Sequence, residues 1–295
     1  MSTRSALISA LAVASLLASA APAHAFCRST TCTGDCPRDD AGCKTTGEKL
    51  QWPRVCVGFS LQKDGSVNIP MDELRATVQD SFAAWADIDC GGGALASIGL
   101  AELDDITCHE AEYDKAGPNA NAIIVQDTKW DYHGPDDTLA KTTVTFNPTT
   151  GEILDADIEI NHAYNEITTG DANVVYDLRS ILTHEIGHFL GLDHSDDPAS
   201  TMYADYEPGS TEQRSLEDDD IAGLCEAYPP GRAGVCDSTP NGGLQDDCKG
   251  ESPPKDTGGC DIPSSPSNET ATLFGLGLCA ALAWARRKKP LRPSR

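Results

Sequence analysis

The chain is 295 residues long, enough for one or two domains. Arg4 and six basic residues after position 285 belong to its two ends, which leaves 15 bases against 45 acids over residues 26–268, a net charge near −30. That balance makes nucleic acid and anionic membrane surfaces poor partners, while it suits an exported protein and could attract calcium.

Residues 1–25 read as a secretory signal. Arg4 supplies the positive start, Ala6 to Leu17 the apolar core, and Ala23-His24-Ala25 an A-x-A cleavage site, so the mature chain would begin at Phe26. Residues 26–50 are poor in apolar side chains and rich in Cys, Thr, Asp and Gly; they read as a disulfide-stapled segment without a core of its own. Of the 12 cysteines, Cys260 and Cys279 lie in the C-terminal stretch. The other ten are an even number, which in an oxidising compartment reads as disulfides whose pairing the sequence leaves open. A second zinc site in the Cys27–Cys43 cluster is the competing reading.

Residues 51–229 carry the periodicity of a folded domain. Val55 to Leu61 reads as a strand. Pro70 opens a helix at a position where its missing N–H costs nothing. Leu74, Val78, Phe82 and Trp85 then recur at helical spacing and make a core face. Gly91-Gly92-Gly93 interrupts the chain, Ala94 to Leu100 reads as a second strand, residues 101–120 as a loop, and Ala122 to Gln126 as a buried strand. Thr142 to Phe146 and Leu154 to Ile160 flank Asn147-Pro148-Thr149-Thr150-Gly151, a hairpin signal. In the second of these strands Leu154, Ala156, Ile158 and Ile160 alternate with Asp155, Asp157 and Glu159. The apolar set is expected in the core and the carboxylates in solvent, where hydration or a bound Ca2+ would relieve their repulsion.

A helix is expected after Asp171 or Asn173, both suitable caps, running through Leu178, Ile181 and Leu182 to Leu190. It carries His184-Glu185-Ile186-Gly187-His188-Phe189-Leu190-Gly191-Leu192-Asp193-His194. Histidines four apart lie on one helix face, so both imidazoles can reach one ion. From its place beside the first, Glu185 can reach a metal-bound water without being a ligand. Gly191 can take the left-handed conformation that ends a helix, so the chain turns back and His194 offers a third nitrogen. Three protein ligands and a water mark catalytic zinc, whereas structural zinc is closed by four protein ligands. Three of the chain's seven histidines fall in these eleven residues, which disfavours an ordinary amphipathic helix. His109, His133 and His162 lack a ligand spacing and stay outside the metal set.

Ser215 and Asp218 make a capping box for a last helix over 216–227. Pro229-Pro230 ends it, and residues 230–268, rich in Gly, Pro, Ser and Asp, read as a disordered linker closed locally by Cys236 and Cys248. Residues 269–295 hold an uncharged apolar run, Thr270 to Ala285, then Arg286-Arg287-Lys288-Lys289. Sixteen helical residues span about 24 Å against a hydrocarbon core of about 30 Å, a gap that snorkelling basic residues could close. A membrane helix, kept or transient, is the expectation, with the basic cluster cytoplasmic.

The full H-E-x-x-H-x-x-G-x-x-H pattern does not stand alone. Ser195 follows the third histidine, Thr201-Met202-Tyr203 comes next, Leu216 and Asp219-Asp220-Ile221-Ala222-Gly223 lie beyond it, and Ala83-Ala84-Trp85 lies upstream. Together they resemble the metzincin metalloproteases, and within them the matrixins, over roughly residues 51–229. The resemblance implies an α+β, zincin-like fold: a twisted, mostly parallel β-sheet with an antiparallel edge strand, three main helices, and a cleft at the zinc helix. It implies a zinc endopeptidase acting on a protein or peptide substrate, as a monomer. His184, His188 and His194 would hold one catalytic Zn2+, and Glu185 would be the general base. Met202 would form an apolar floor beneath the histidines, and Tyr206 a wall of the pocket for the residue after the scissile bond. Such proteases bind an extended peptide along an edge strand, here expected at 154–160. Pro53-Arg54-Val55-Cys56 echoes only part of the latency motif P-R-C-G-x-P-D, so a disulfide is expected of Cys56. Gly258-Gly259-Cys260, apolar run and basic cluster resemble the tripartite sorting tags of Gram-negative bacteria, which implies a cell-surface or extracellular location. A zinc-propped binding module and a zinc hydrolase of a non-protein substrate are the rivals; Glu185 disfavours the first, and the resemblance of Thr201-Met202-Tyr203 to the family's Met-turn, with the full histidine spacing, the second.

Overall fold

The computed structural model describes residues 25–132, 138–247 and 260–263. Residues 1–24 of the expected signal sequence, His133, Cys248, and the apolar run with its basic cluster lie outside the described residues. Among those described, no helix is long and apolar enough to cross a membrane.

In chain order the strands are β1 (Cys27–Arg28), β2 (Cys56–Leu61), β3 (Gly99–Glu102), β4 (Ala122–Gln126), β5 (Thr138–Phe146), β6 (Ile153–Asn161), β7 (Ile167–Thr168), β8 (Tyr176–Asp177), β9 (Leu192–Asp193) and β10 (Cys260–Pro263). The helices are α1 (Met71–Ala84), α2 (Leu178–Phe189) and α3 (Asp218–Ala227). Six strands form one sheet in the order β10-β5-β6-β4-β2-β3. β3, β2, β4 and β6 run parallel, while β5 and β10 are antiparallel to their neighbours. This is the expected α+β class with a mostly parallel sheet and three helices.

α1 and α2 pack on one sheet face around aromatic contacts, while α3 packs on β1 and β9. Phe59 of β2 stacks on Phe82 of α1 at 3.7 Å, and Phe82 meets Phe189 of α2 edge-on at 5.6 Å. Burying a side chain of that size is worth about 2–3 kcal/mol. Trp85, fully buried, spends its Nε1–H on Thr183 O at 2.8 Å and so ties α1 to α2.

The opposite face is covered too. Within β4, Ile123 and Val125 join the main core, whereas Ala122 and Ile124 join a second cluster with Ile106, Cys108 and Leu244. A strand buried on both faces reads as a continuous apolar run, as Ala122 to Val125 does. This second layer corrects the placement of three carboxylates. Asp155, Asp157 and Glu159, expected in solvent, are 1–3 % exposed. Asp157 accepts from Glu112 N and Ala122 N, and Glu159 accepts from Gln126 Nε2 and from Tyr132. From Ala156 onward β6 alternates as expected, but its register slips at the start, so Ile153 joins the core in place of the half-buried Leu154; what the pattern could not reveal is the loop folded over the polar side.

Several boundaries also shift. The second strand lies at Gly99–Glu102 rather than 94–100, and β5 starts at Thr138 rather than 142. Strand 154–160 is interior, between β5 and β4, so it is not the edge strand; β5 stands outside it, with β10 beyond. The stretch 230–268, expected as a linker, is partly a strap: over 230–247, Arg232 donates to Trp52 O, Thr107 N to Asp246 O, and Gln245 Nε2 to Glu112. Cys236 bonds Cys56 instead of closing a local loop with Cys248. The other bridges are Cys27–Cys43, Cys32–Cys36 and Cys90–Cys225, and Cys108 is disulfide-bonded as well. With the cluster Cys27–Cys43 bridged, its thiols are not zinc ligands.

Candidate metal centre and active site

The site is built on α2. Its cap is Asp177, not Asp171 or Asn173: Asp177 Oδ2 accepts from Ser180 N at 2.8 Å, and the residues before it run extended in β8. Arg214 clamps the same buried carboxylate through Nε and Nη2 at 2.8 and 2.6 Å, which raises the guanidinium pKa.

From that start, His184, Glu185 and His188 all face the interior, each at most 2 % exposed. The helix ends at Phe189 and Gly191 takes φ +84°; a Cβ there would lie 2.5 Å from Leu50 O, so only glycine admits the reversal. β9 follows, paired antiparallel with β1, and delivers His194. The three imidazoles place ligand atoms within 4.8 Å of one another. His188 Nε2 is 3.1 Å from His184 Nε2 and 3.2 Å from His194 Nε2.

The far nitrogens are already committed. His184 Nδ1 bonds Thr201 O at 2.7 Å and His188 Nδ1 bonds Leu192 O at 2.9 Å. A carbonyl can only accept, so each Nδ1 carries the proton and each Nε2 presents a lone pair. Burial, then the neighbouring imidazoles, holds the pKa of His184 and of His194 well below the usual histidine value. Converging neutral lone pairs repel one another unless a cation lies between them, so this donor set fits zinc. Among the described residues it is the one group of three or more such side chains that could hold a metal ion. The β6 carboxylates do not form a second one.

Glu185 points to β5, where Thr142 Oγ1 donates to its Oε2 and also lies 3.2 Å from its backbone O. Nothing local in the sequence singles out Thr142; only the register of β5 over α2 brings it there. Met202, 1 % exposed, sits under the helix: a Cβ on Gly187 would fall 2.1 Å from its Sδ. The turn carrying Met202 hangs on Asp220 of α3, whose Oδ1 accepts from Met202 N and Ser200 Oγ and whose Oδ2 accepts from Thr201 N and Glu217 N. The last of these bonds replaces the expected Ser215–Asp218 capping box. Tyr206 is 4 % exposed; its OH accepts from Asp177 N and donates to Ser210 O, so the phenol joins the α2 cap to the following loop.

The family model described as Matrixin matches residues 51–229. Metalloendoproteinase 1-MMP of Arabidopsis thaliana is 26 % identical over 184 residues, 62 % of this chain and 45 % of that protein. Human neutrophil collagenase is 26 % identical over 190 residues, 64 % of this chain and 36 % of its own length. Human matrilysin is 35 % identical over 97 residues, 33 % of this chain and 34 % of its own. The chain thus spans less than half the length of these curated relatives.

Proposed function

The chain belongs to the matrixin family, and from that premise we propose that it is an exported zinc-dependent endopeptidase that uses Glu185 as general base. The carrying observation is the convergence of three histidine ring nitrogens with a buried glutamate beside the first of them, on the segment the family match covers. His184, His188 and His194 would hold the ion. When bound, zinc supplies the charge that acidifies water and stabilises the oxyanion developing on a peptide carbonyl. The protein supplies the rest. Thr201 O and Leu192 O fix the tautomers of His184 and His188. Thr142 holds Glu185 Oε2, which orients the carboxylate to take a proton from the attacking water and return it to the leaving amine. Met202 and the α3 carboxylate Asp220 keep the helix and its following turn in register. The disulfides suit an oxidising compartment, which supports export to the cell surface or beyond.

Glu185→Gln tests the reading. It keeps shape and leaves the imidazoles alone, so zinc content should stay near one per chain by elemental analysis. Casein cleavage should fall about 10²–10⁴-fold, the usual worth of a general base. Equal cleavage by wild type and Glu185→Gln, with zinc in place, would falsify the role.

A further inference from the structure

The tail of the chain lies on the outer edge of β5. Cys260, Asp261 and Ile262 pair antiparallel with Thr142, Lys141 and Ala140, and the register slips before Pro263, which has no N–H to continue the ladder. That edge is the site's own: Thr142 holds Glu185, and Cys260 is the residue opposite Thr142. An open strand edge binds an extended main chain through its unpaired N–H and C=O groups. Any peptide adding to this edge beside Glu185 needs the backbone groups that Cys260–Pro263 already engage.

We propose that Cys260–Pro263 is a plug in cis: it occupies the peptide-binding edge of β5 and keeps the site closed until an extended peptide displaces it. The inference rests on the endopeptidase reading for its meaning, not for its test. Cys260 follows Asp247 by 13 residue steps in the same chain, so the pairing is intramolecular and does not wait on a second molecule. Four residues of pairing, ended by the slip at Pro263, make it displaceable rather than permanent.

The test uses the full chain carrying Glu185→Gln, so that self-cleavage cannot remove the tail. Successive N–H groups of a strand point alternately toward and away from the neighbour. Asp261→Pro with Ile262→Pro therefore removes a ladder donor whichever of the two faces β5, while Asp261→Ala with Ile262→Ala keeps both. Hydrogen exchange of the β5 amides at 140–142 should quicken at least tenfold in the proline pair and stay unchanged in the alanine pair. A fluorescein-labelled pool of unfolded casein peptides should bind the proline pair at least fivefold more tightly than the parent. Unchanged exchange overturns the pairing, and unchanged peptide affinity overturns the plug. Protection that disappears on tenfold dilution assigns the strand to a second copy and overturns the cis arrangement. Failure of the endopeptidase reading shows elsewhere, as absence of casein cleavage by the chain with Glu185 intact and the proline pair in place.

Discussion

Asp155 and Asp157 put two carboxyl groups side by side on a face of β6 where no water reaches them. Burial, and then the adjacent Asp157, pushes Asp155 well above the ordinary carboxylate pKa. Asp157 has two backbone N–H donors, whereas Asp155 has Asp157, so Asp155 keeps the proton and donates it to Asp157. The sign follows from linkage. A raised folded-state pKa means that the native chain binds more protons than the unfolded one, so this group's contribution is full below about pH 4 and is lost as pH rises through the folded value. Asp155→Asn keeps the shape and a donor and cannot ionise. Its melting temperature at neutral pH should exceed that of the parent by a few degrees, on the order of 1 kcal/mol for a body of this size. The gap should narrow toward pH 4 in a calorimetric series; a gap that widens in acid would mean that Asp155 is ionised in the fold. Gly187 is a second single-residue test. Its Cβ would meet Met202 Sδ at 2.1 Å and Trp85 at 3.1 Å, so Gly187→Ala overpacks the floor of the site. Denaturant unfolding should show a loss of about 1–3 kcal/mol despite the better helix former.

At the scale of elements, the coupling of α2 to α3 runs through the turn at 200–202. Asp220 satisfies four donors there, two of them the N–H groups of Thr201 and Met202, and Thr201 O in turn accepts from His184 Nδ1. Asp220→Ala strands these buried donors at about 1–3 kcal/mol each. Zinc affinity should fall with stability although no ligand is touched, and titration against a competing chelator would read it. Residues on one element were the legible ones. His184, Glu185 and His188 follow from spacing on one helix, Gly191 and His194 from the few residues just past its end, and the apolar rhythm of α1, β4 and β6 places those elements within a few residues. What stayed hidden joins elements far apart in sequence. Thr142 reaches Glu185 across 43 residues, and the layer over β6 is assembled from residues 105–121 and 244–247. No local pattern encodes such a meeting. The helix cap differs for a related reason: Asp171 and Asn173 have equal capping chemistry, and Arg214 reaches Asp171 as well as Asp177, but it is Asp177 that stands at the first turn and accepts from Ser180 N.

Across the whole molecule, the long bridges do what a small N-terminal segment cannot. Cys56–Cys236 and Cys90–Cys225 join residues 180 and 135 apart, and in a chain-entropy picture closing loops of that length is worth about 4–5 kcal/mol each. Reduction under native conditions should therefore lower the melting temperature by more than ten degrees and loosen the 230–247 strap first, detected as faster hydrogen exchange there.

The bridge between Cys56 and Cys236 has one more effect, on topology rather than stability. It makes residues 56–236 a closed covalent circuit, with Cys90–Cys225 as a chord, and His184, His188 and His194 lie inside both. Opening a circuit once does not divide it. A single peptide-bond cut anywhere within it adds the mass of one water and leaves one molecule, histidines still tethered on both sides of the break. If the proposed endopeptidase activity acts between neighbouring copies, the population accumulates nicks that are invisible on a non-reducing gel. The same sample run with a reductant should split into fragments, whereas its zinc content, measured before reduction, should be unchanged.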